Sequence, residues 1–282
     1  MKLKDKVIII TGSSRGIGRA MALRFAKDGA KLVIAAKSVE EGKWPGTIFS
    51  VAKEVEQAGG EALPIPIDLR NDETVEQMVA QTVKKWGRID GLVNNAGAIY
   101  LTPLEQTPMK RVDLMFSLNL RAVLCCSHYC IPHLKAAGGA HILNLSPPIN
   151  LNPKWFKNHT VYTITKYGMS MATMGLAEEL REAKVAANSL WPRTVIATAA
   201  TEWMMGKEGM STCRTPEIMA DAAYEIMHSD PTKLTGQCLE DEAFLKKMGY
   251  KDFDKYKVDP KGTLGLDLFV EGFGEQSLKT PS

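Results

Sequence analysis

Tyr162 and Lys166 stand four residues apart where apolar periodicity predicts a helix over Val161 to Arg181, so both side chains share one face. A phenol titrates at about 10. An ammonium beside it favours the phenolate and lowers that pKa, which makes the oxygen a usable general acid or base. A second constellation lies near the start of the chain. The apolar run Val7-Ile8-Ile9-Ile10 leads into Thr11-Gly12-Ser13-Ser14-Arg15-Gly16-Ile17-Gly18, and helical periodicity follows over Arg19 to Lys27. Gly12 can take the backbone angles of a tight turn. Gly16 lets the main chain approach a pyrophosphate, and Gly18 lets the helix lie against its strand. Free N–H groups at the helix start face the anion. The spacing is G-x-x-x-G-x-G, not the commoner G-x-G-x-x-G.

The elements that must position these residues alternate along the chain. Lys31 to Ala36 is a second apolar strand, which completes a βαβ unit and points to a bound dinucleotide. Ala62 to Asp68 reads as a third strand, irregular because of two prolines. Asn71 or Asp72 caps an amphipathic helix to about Trp86. Gly91 to Asn94 is a fourth strand, Asp113 to Ala137 a long apolar helix and Gly139 to Ser146 a fifth strand. Val185 to Trp191 is a sixth, Pro216 opens a helix through His228, and Leu234 to Leu239 is a seventh. This rhythm predicts an α/β fold: one Rossmann-type, doubly wound parallel sheet of about seven strands. Residues 1–240 form the dinucleotide-binding and catalytic domain. From Asp241 the pattern turns irregular and aromatic (Phe244, Tyr250, Phe253, Tyr256, Phe269, Phe273), as a C-terminal extension packed on that domain.

Composition narrows the function. The 282 residues are 45% hydrophobic, enough for a sizeable core, and the net charge of +3 is scattered, which argues against nucleic acid as a partner. No apolar run approaches the roughly 20 residues of a membrane span. The N-terminus runs straight into the first strand, and the C-terminus is not of the Ser-Lys-Leu type, so the expectation is a cytoplasmic protein. The five cysteines include no C-x-x-C pair. Cys126 and Cys130 lie one helical turn apart, but His128 falls on another face. They read as core cysteines, and no metal is expected.

The chain resembles the short-chain dehydrogenase/reductase family over roughly residues 5–240. The resemblance rests on Thr11-Gly12-x-x-x-Gly16-x-Gly18, Asp68, Asn94-Asn95-Ala96-Gly97, Asn119 and Tyr162-x-x-x-Lys166, in that order. It implies that Tyr162 exchanges the substrate proton and that Lys166 lowers its pKa and holds the nicotinamide ribose. Asn119 supports a proton-relay water, Asp68 contacts the adenine, and Thr198 meets the nicotinamide amide. The implied cofactor site comprises Thr11, Gly12, Ser14, Arg15, Gly16, Ile17, Gly18, Lys37, Asp68, Leu69, Asn94, Ala96, Gly97, Tyr162, Lys166 and Thr198. Family members are mostly dimers or tetramers built through the two long helices, so a homodimer or homotetramer is expected.

Three departures refine the reading. The second strand ends in Lys37-Ser38, and Arg15 lies in the glycine turn. Two cations with no acid nearby favour NADP(H) over NAD(H). Pro192-Arg193 replaces the family's Pro-Gly before Thr198. Most consequential, the family's substrate-binding serine has no counterpart in register: Pro147 follows Ser146, which lies sixteen residues before Tyr162. Ser146 is the first substitute, with Asn150 and Asn152 behind it. The expected activity is hydride transfer between NADP(H) and a carbonyl/alcohol pair. The Met-rich segment Ala199 to Gly206 suits a lipophilic substrate, and Trp155 and Phe156 are a second wall, or else oligomer or core contacts. The alternative is an NADP(H)-binding sensor with negligible turnover.

Overall fold

In a computed structural model, residues 2–272 are described. Seven strands form a wholly parallel sheet: β1 (Val7–Thr11), β2 (Lys31–Ala36), β3 (Glu61–Pro66), β4 (Gly91–Asn94), β5 (Ala140–Asn144), β6 (Val185–Trp191) and β7 (Cys238–Glu240). Their order is β3-β2-β1-β4-β5-β6-β7. Strand alternation divides the apolar residues between two cores. Ile8, Ile10, Leu32 and Ile34 face one side, where α1 (Gly16–Ala26), α2 (Ile48–Gln57) and α8 (Glu217–Met227) pack. Ile9, Val33, Leu92 and Ile142 face the other, under α3 (Asp72–Trp86), α5 (Ala122–Ala137) and α6 (Thr160–Glu179). Cys126 and Cys130 are fully buried in this second core. The direction of winding reverses between β1 and β4, so the crevice for a ligand opens beyond their C-terminal ends.

The structure adjusts several expected boundaries. β3 stops at Pro66, and its two prolines are tolerated because it is an edge strand. β7, at the opposite edge, is only Cys238–Glu240. α2 is absent from the sequence reading. Thr47 caps it by accepting from the N–H of Ser50, and Ile48, Val51, Ala52 and Val55 are its buried stripe.

The long helix starts at α4 (Met109–Met115), passes through a π turn over Phe116–Arg121 and continues as α5. At 29 residues, with a mean hydropathy of 1.3 in its most apolar stretch, it is long and apolar enough to cross a membrane by length and composition only, a property that packed core helices share. Here it packs on α3, α6, β4 and β5.

After β7, α9 (Asp241–Lys247) packs Phe244 and Leu245 into the first core, where Tyr256 joins them. The chain then returns to the mouth of the sheet. There the stretch 265–270 meets the loop after β6 through Val195 N–H to Gly265 O (3.0 Å) and Asp267 N–H to Arg193 O (3.0 Å). Phe273 lies outside the described residues.

Candidate active site

A cleft of about 770 Å³ runs along the glycine turn and is lined by Gly12, Ser14, Arg15, Gly16, Ile17, Lys37, Ser38, Leu69, Ala96, Gly97 and Thr198, among others. The turn is built for close approach. Gly12 has φ +66°, and a Cβ there would stand 2.8 Å from Ala96 Cα. A Cβ on Gly18 would stand 2.6 Å from Gly12 O, so α1 can lie on β1 only without one. Asn95 holds the turn from below: its Nδ2 donates to Thr11 O (2.9 Å) and Gly12 O (3.0 Å). Thr11 Oγ1 accepts from the N–H groups of Asn95 (3.1 Å) and Ala96 (3.2 Å). Thr11, Gly18 and Asn94 thus sit behind the cleft wall. Asn94 is buried and donates to Asn144 Oδ1 (2.8 Å), which leads on to Thr173.

The cationic end of the cleft differs from the expectation that no acid lies nearby. Lys37 Nζ stands 2.7 Å from Asp68 Oδ2. β2 and β3 are parallel neighbours with Ala36 opposite Pro66, so the residues just past their ends meet. Arg70 also grips Asp68 (2.7 Å), and with Lys37 it holds this carboxyl well below the usual range. Arg15 donates to Gly46 O (2.7 Å) and Trp44 O (3.3 Å), which pins the segment before α2 against the turn.

The cleft continues into a smaller chamber of about 220 Å³ lined by Tyr162, Lys166, Trp191, Met204, Asp267 and Leu268, among others. Asn95, Gly97, Ile99 and Thr198 border both spaces. Thr198 is set there as the N-cap of α7 (Ala199–Gly209), its Oγ1 accepting from Thr201 N–H (3.2 Å). Lys166 donates to Leu145 O (2.8 Å) and lies over the Trp191 ring, and burial brings its ammonium down to about 8. Tyr162 runs against expectation. Burial pushes its phenol up, and Asp267 adds to this only when it is ionised, so the oxygen holds its proton.

Asn119 sits in the π turn, a feature frequent at functional sites. Its amide accepts from Ala98 N–H (2.7 Å) and donates to Ala98 O (2.9 Å) and Thr165 Oγ1 (3.1 Å), which anchors the chain beside Gly97.

The three candidates for the absent serine lie elsewhere. Ser146 is fully buried, its Oγ has no hydrogen-bond partner among the described residues, and it lines neither space. Asn150 donates to Glu271 Oε1 (2.7 Å), and Asn152 caps Lys154 N–H (3.1 Å). Trp155 is buried against Phe269, and Phe156 packs edge-on to Tyr167. Neither lines the chamber. Sequence reasoning passed over Asp267, Ile99 and Tyr100, whereas Trp203 lies in the Ala199 to Gly206 segment expected to cover the pocket. Asp267 lies past the last strand with no motif around it, and Ile99 and Tyr100 belong to a loop whose path only the fold fixes.

The family model described as short chain dehydrogenase matches residues 6–207. The chain belongs to that family. The family is one of oxidoreductases that bind nicotinamide cofactors. The chain is 54% identical over 279 residues to hydroxysteroid dehydrogenase-like protein 2 of Danio rerio, covering 99% of itself and 67% of that protein. It therefore spans about two thirds of that relative's length. A short chain dehydrogenase structure from Mycobacterium thermoresistibile superposes with a TM-score of 0.91 at 46% identity, over 99% of this chain and all of that one. A metagenomic short-chain oxidoreductase in complex with NADP superposes with a TM-score of 0.71 at 27% identity, over 85% of this chain and 98% of that one.

Proposed function

We propose that the protein is an NADP(H)-dependent oxidoreductase that interconverts a carbonyl and an alcohol on a small lipophilic substrate, with Tyr162 exchanging the proton. The observation that carries this reading is the chamber itself. It sets Tyr162 and Lys166 together in a largely apolar space continuous with the glycine-turn cleft. The bound cofactor supplies or accepts the hydride. Tyr162, protonated and shielded from water, gives its proton to the oxygen of a carbonyl held against it. Lys166 holds positive charge beside the phenol as negative charge develops there, and Met204 and Trp191 give aliphatic substrate its surface.

The preference for the phosphorylated cofactor is supported by Lys37, Ser38 and Arg15 along one end of the cleft. The Lys37–Asp68 pair does not oppose it. Both partners are partly exposed, so the pair contributes only about 0–1 kcal/mol. A charge-assisted bond to a phosphate contributes roughly 1.5–3 kcal/mol. Asp68 keeps Arg70 when Lys37 turns away. The protein assembles through α5 and α6 as a homodimer or homotetramer. Supporting this are Ile164, Met171 and Met174, an exposed apolar stripe on α6, and exposed Leu124 on α5.

The test is to follow NADPH absorbance with a panel of long-chain aldehydes and ketosteroids, alongside direct titration of NADPH. Consumption with at least one carbonyl supports the reading. Tight NADPH binding with no consumption across the panel favours a cofactor-binding sensor, the reading that Pro147 would explain.

A further inference from the structure

The chamber holds three ionisable side chains among the described residues: Tyr162 and Lys166 from α6, and Asp267 from the C-terminal segment. The loop after β5, which runs from Leu145 past the chamber, offers no donor at Pro147 or Pro148, because neither has an N–H or a hydroxyl. The carbonyl of Pro147 is itself taken by Ser170 Oγ (2.6 Å). A substrate oxygen lying against Tyr162 therefore needs a second donor from elsewhere.

Asp267 is placed by several fixed contacts. Its N–H donates to Arg193 O (3.0 Å), and Leu266 bridges Thr194. Trp191 Nε1 donates to Leu268 O (2.7 Å), and the Phe269 ring stacks on Tyr162 with centroids 6.3 Å apart. One carboxyl oxygen accepts from Leu268 N–H (2.7 Å). The other has no hydrogen bond among the described residues, and the side chain borders the chamber.

We infer that Asp267 is a further catalytic residue of this site: as a carboxylic acid it donates a hydrogen bond to the substrate oxygen that Tyr162 protonates. The inference rests on the carbonyl-reducing reading given above. The proton on Asp267 stays on Asp267. It polarises the carbonyl while the hydride reaches carbon and the Tyr162 proton reaches oxygen, so the carbonyl is reduced, the cofactor is oxidised and the overall balance is unchanged.

The surroundings favour the acid form. Burial, with Asp241 at the start of α9 as a lesser contributor, brings the carboxyl up to about 7, against the Leu268 N–H and the Lys166 ammonium, which pull it down. The other titratable groups that feel it, Tyr162 and Cys213, are themselves pushed up and stay neutral. An acid raised to about 7 is protonated below that pH and ionised above it, so its donor is present in acid and lost as pH rises.

The experiment measures reduction of the panel carbonyl by wild type, Asp267→Asn and Asp267→Ala from pH 6 to 8, with NADPH affinity and melting temperature for each. Asn keeps a donor that does not titrate. We expect its rate relative to wild type to rise about tenfold from pH 6 to 8, because wild type loses its acid form over that range. Asp267→Ala should lose on the order of 100-fold in turnover at pH 6 with NADPH affinity retained. An ionised Asp267 raises the Lys166 ammonium, so the Asn variant loses that charge at lower pH, which would depress its rate toward pH 8; a rising ratio therefore reports Asp267 and not Lys166. A carboxylic C=O infrared band present in wild type at pH 6 and missing in Asp267→Asn would report the acid form without turnover.

A ratio that stays flat with pH, wild-type turnover in Asp267→Ala, or no such band would each overturn the inference while leaving the enzyme an oxidoreductase. A wild type that binds NADPH and reduces nothing would overturn the functional reading, and the inference with it.

Discussion

At the scale of single residues, the chemistry was legible wherever it rests on local spacing. The pair Tyr162 and Lys166 needs only one helix, and the glycine turn needs only a strand followed by a helix. What spacing could not show is what lies across from these groups. Lys37 meets Asp68 only through the register of β2 on β3, and Asp267 reaches the chamber only because the chain returns after β7. The sign of the Tyr162 shift turned for the same reason. An ammonium one helical turn away was visible in sequence, but the burial that pushes the phenol up, and Asp267 across the chamber, were not. Cofactor choice is the residue-scale prediction. Lys37→Asp places a carboxylate where a phosphate would sit and leaves Asp68 without one of its cations. Titration should show wild type preferring NADP(H) over NAD(H) by about tenfold or more, and the variant preferring NAD(H). Equal affinities in wild type would remove the role given to Lys37.

Among the elements, the sheet and its long helices were legible because each is a sustained apolar pattern of period 2 or 3.6. The helix α2 was not. It follows Gly42-Lys43-Trp44-Pro45-Gly46, which reads as a loop, and exposed Phe49 blurs its buried stripe. The C-terminal segment shows an aromatic composition but no periodicity, so its packing was foreseeable and its path was not. Phe269 is its anchor. It holds φ at +70° and packs against Trp155, Tyr162, Tyr167 and Trp191, with ring centroids between 5.2 and 6.3 Å. Removing a buried aromatic ring costs about 3–5 kcal/mol. Phe269→Ala should therefore lower the melting temperature by on the order of 10 °C. Turnover should also fall, because the Leu266–Val270 segment carries the chamber wall. NADPH affinity should hold, because Phe269 lines none of the outer cleft. Calorimetry and NADPH titration check both halves, and an unchanged melting temperature would mean that the segment contributes little to the fold.

At the scale of the whole molecule, one crevice at the reversal of a parallel sheet gathers the outer cleft and the inner chamber, and the outer faces of α5 and α6 carry exposed apolar side chains. Met171 is 65% exposed and Met174 50%, high values for apolar side chains on adjoining turns. Met171→Glu combined with Met174→Glu should convert a wild-type dimer or tetramer into a monomer by light scattering. A monomeric wild type, or an unchanged mass in the variant, would place the interface elsewhere. The central claim is hydride transfer to a carbonyl with Tyr162 as proton donor, and it can be followed atom by atom. Wild type and Tyr162→Phe are each given NADPH carrying deuterium at the transferable position and one panel carbonyl, and the alcohol is analysed by mass spectrometry. Wild type should deliver one deuterium to the former carbonyl carbon. Tyr162→Phe, with NADPH binding retained, should do so on the order of 10²–10⁴-fold more slowly. Label transfer at the wild-type rate by the phenylalanine variant, or none by wild type with any carbonyl, would contradict the account.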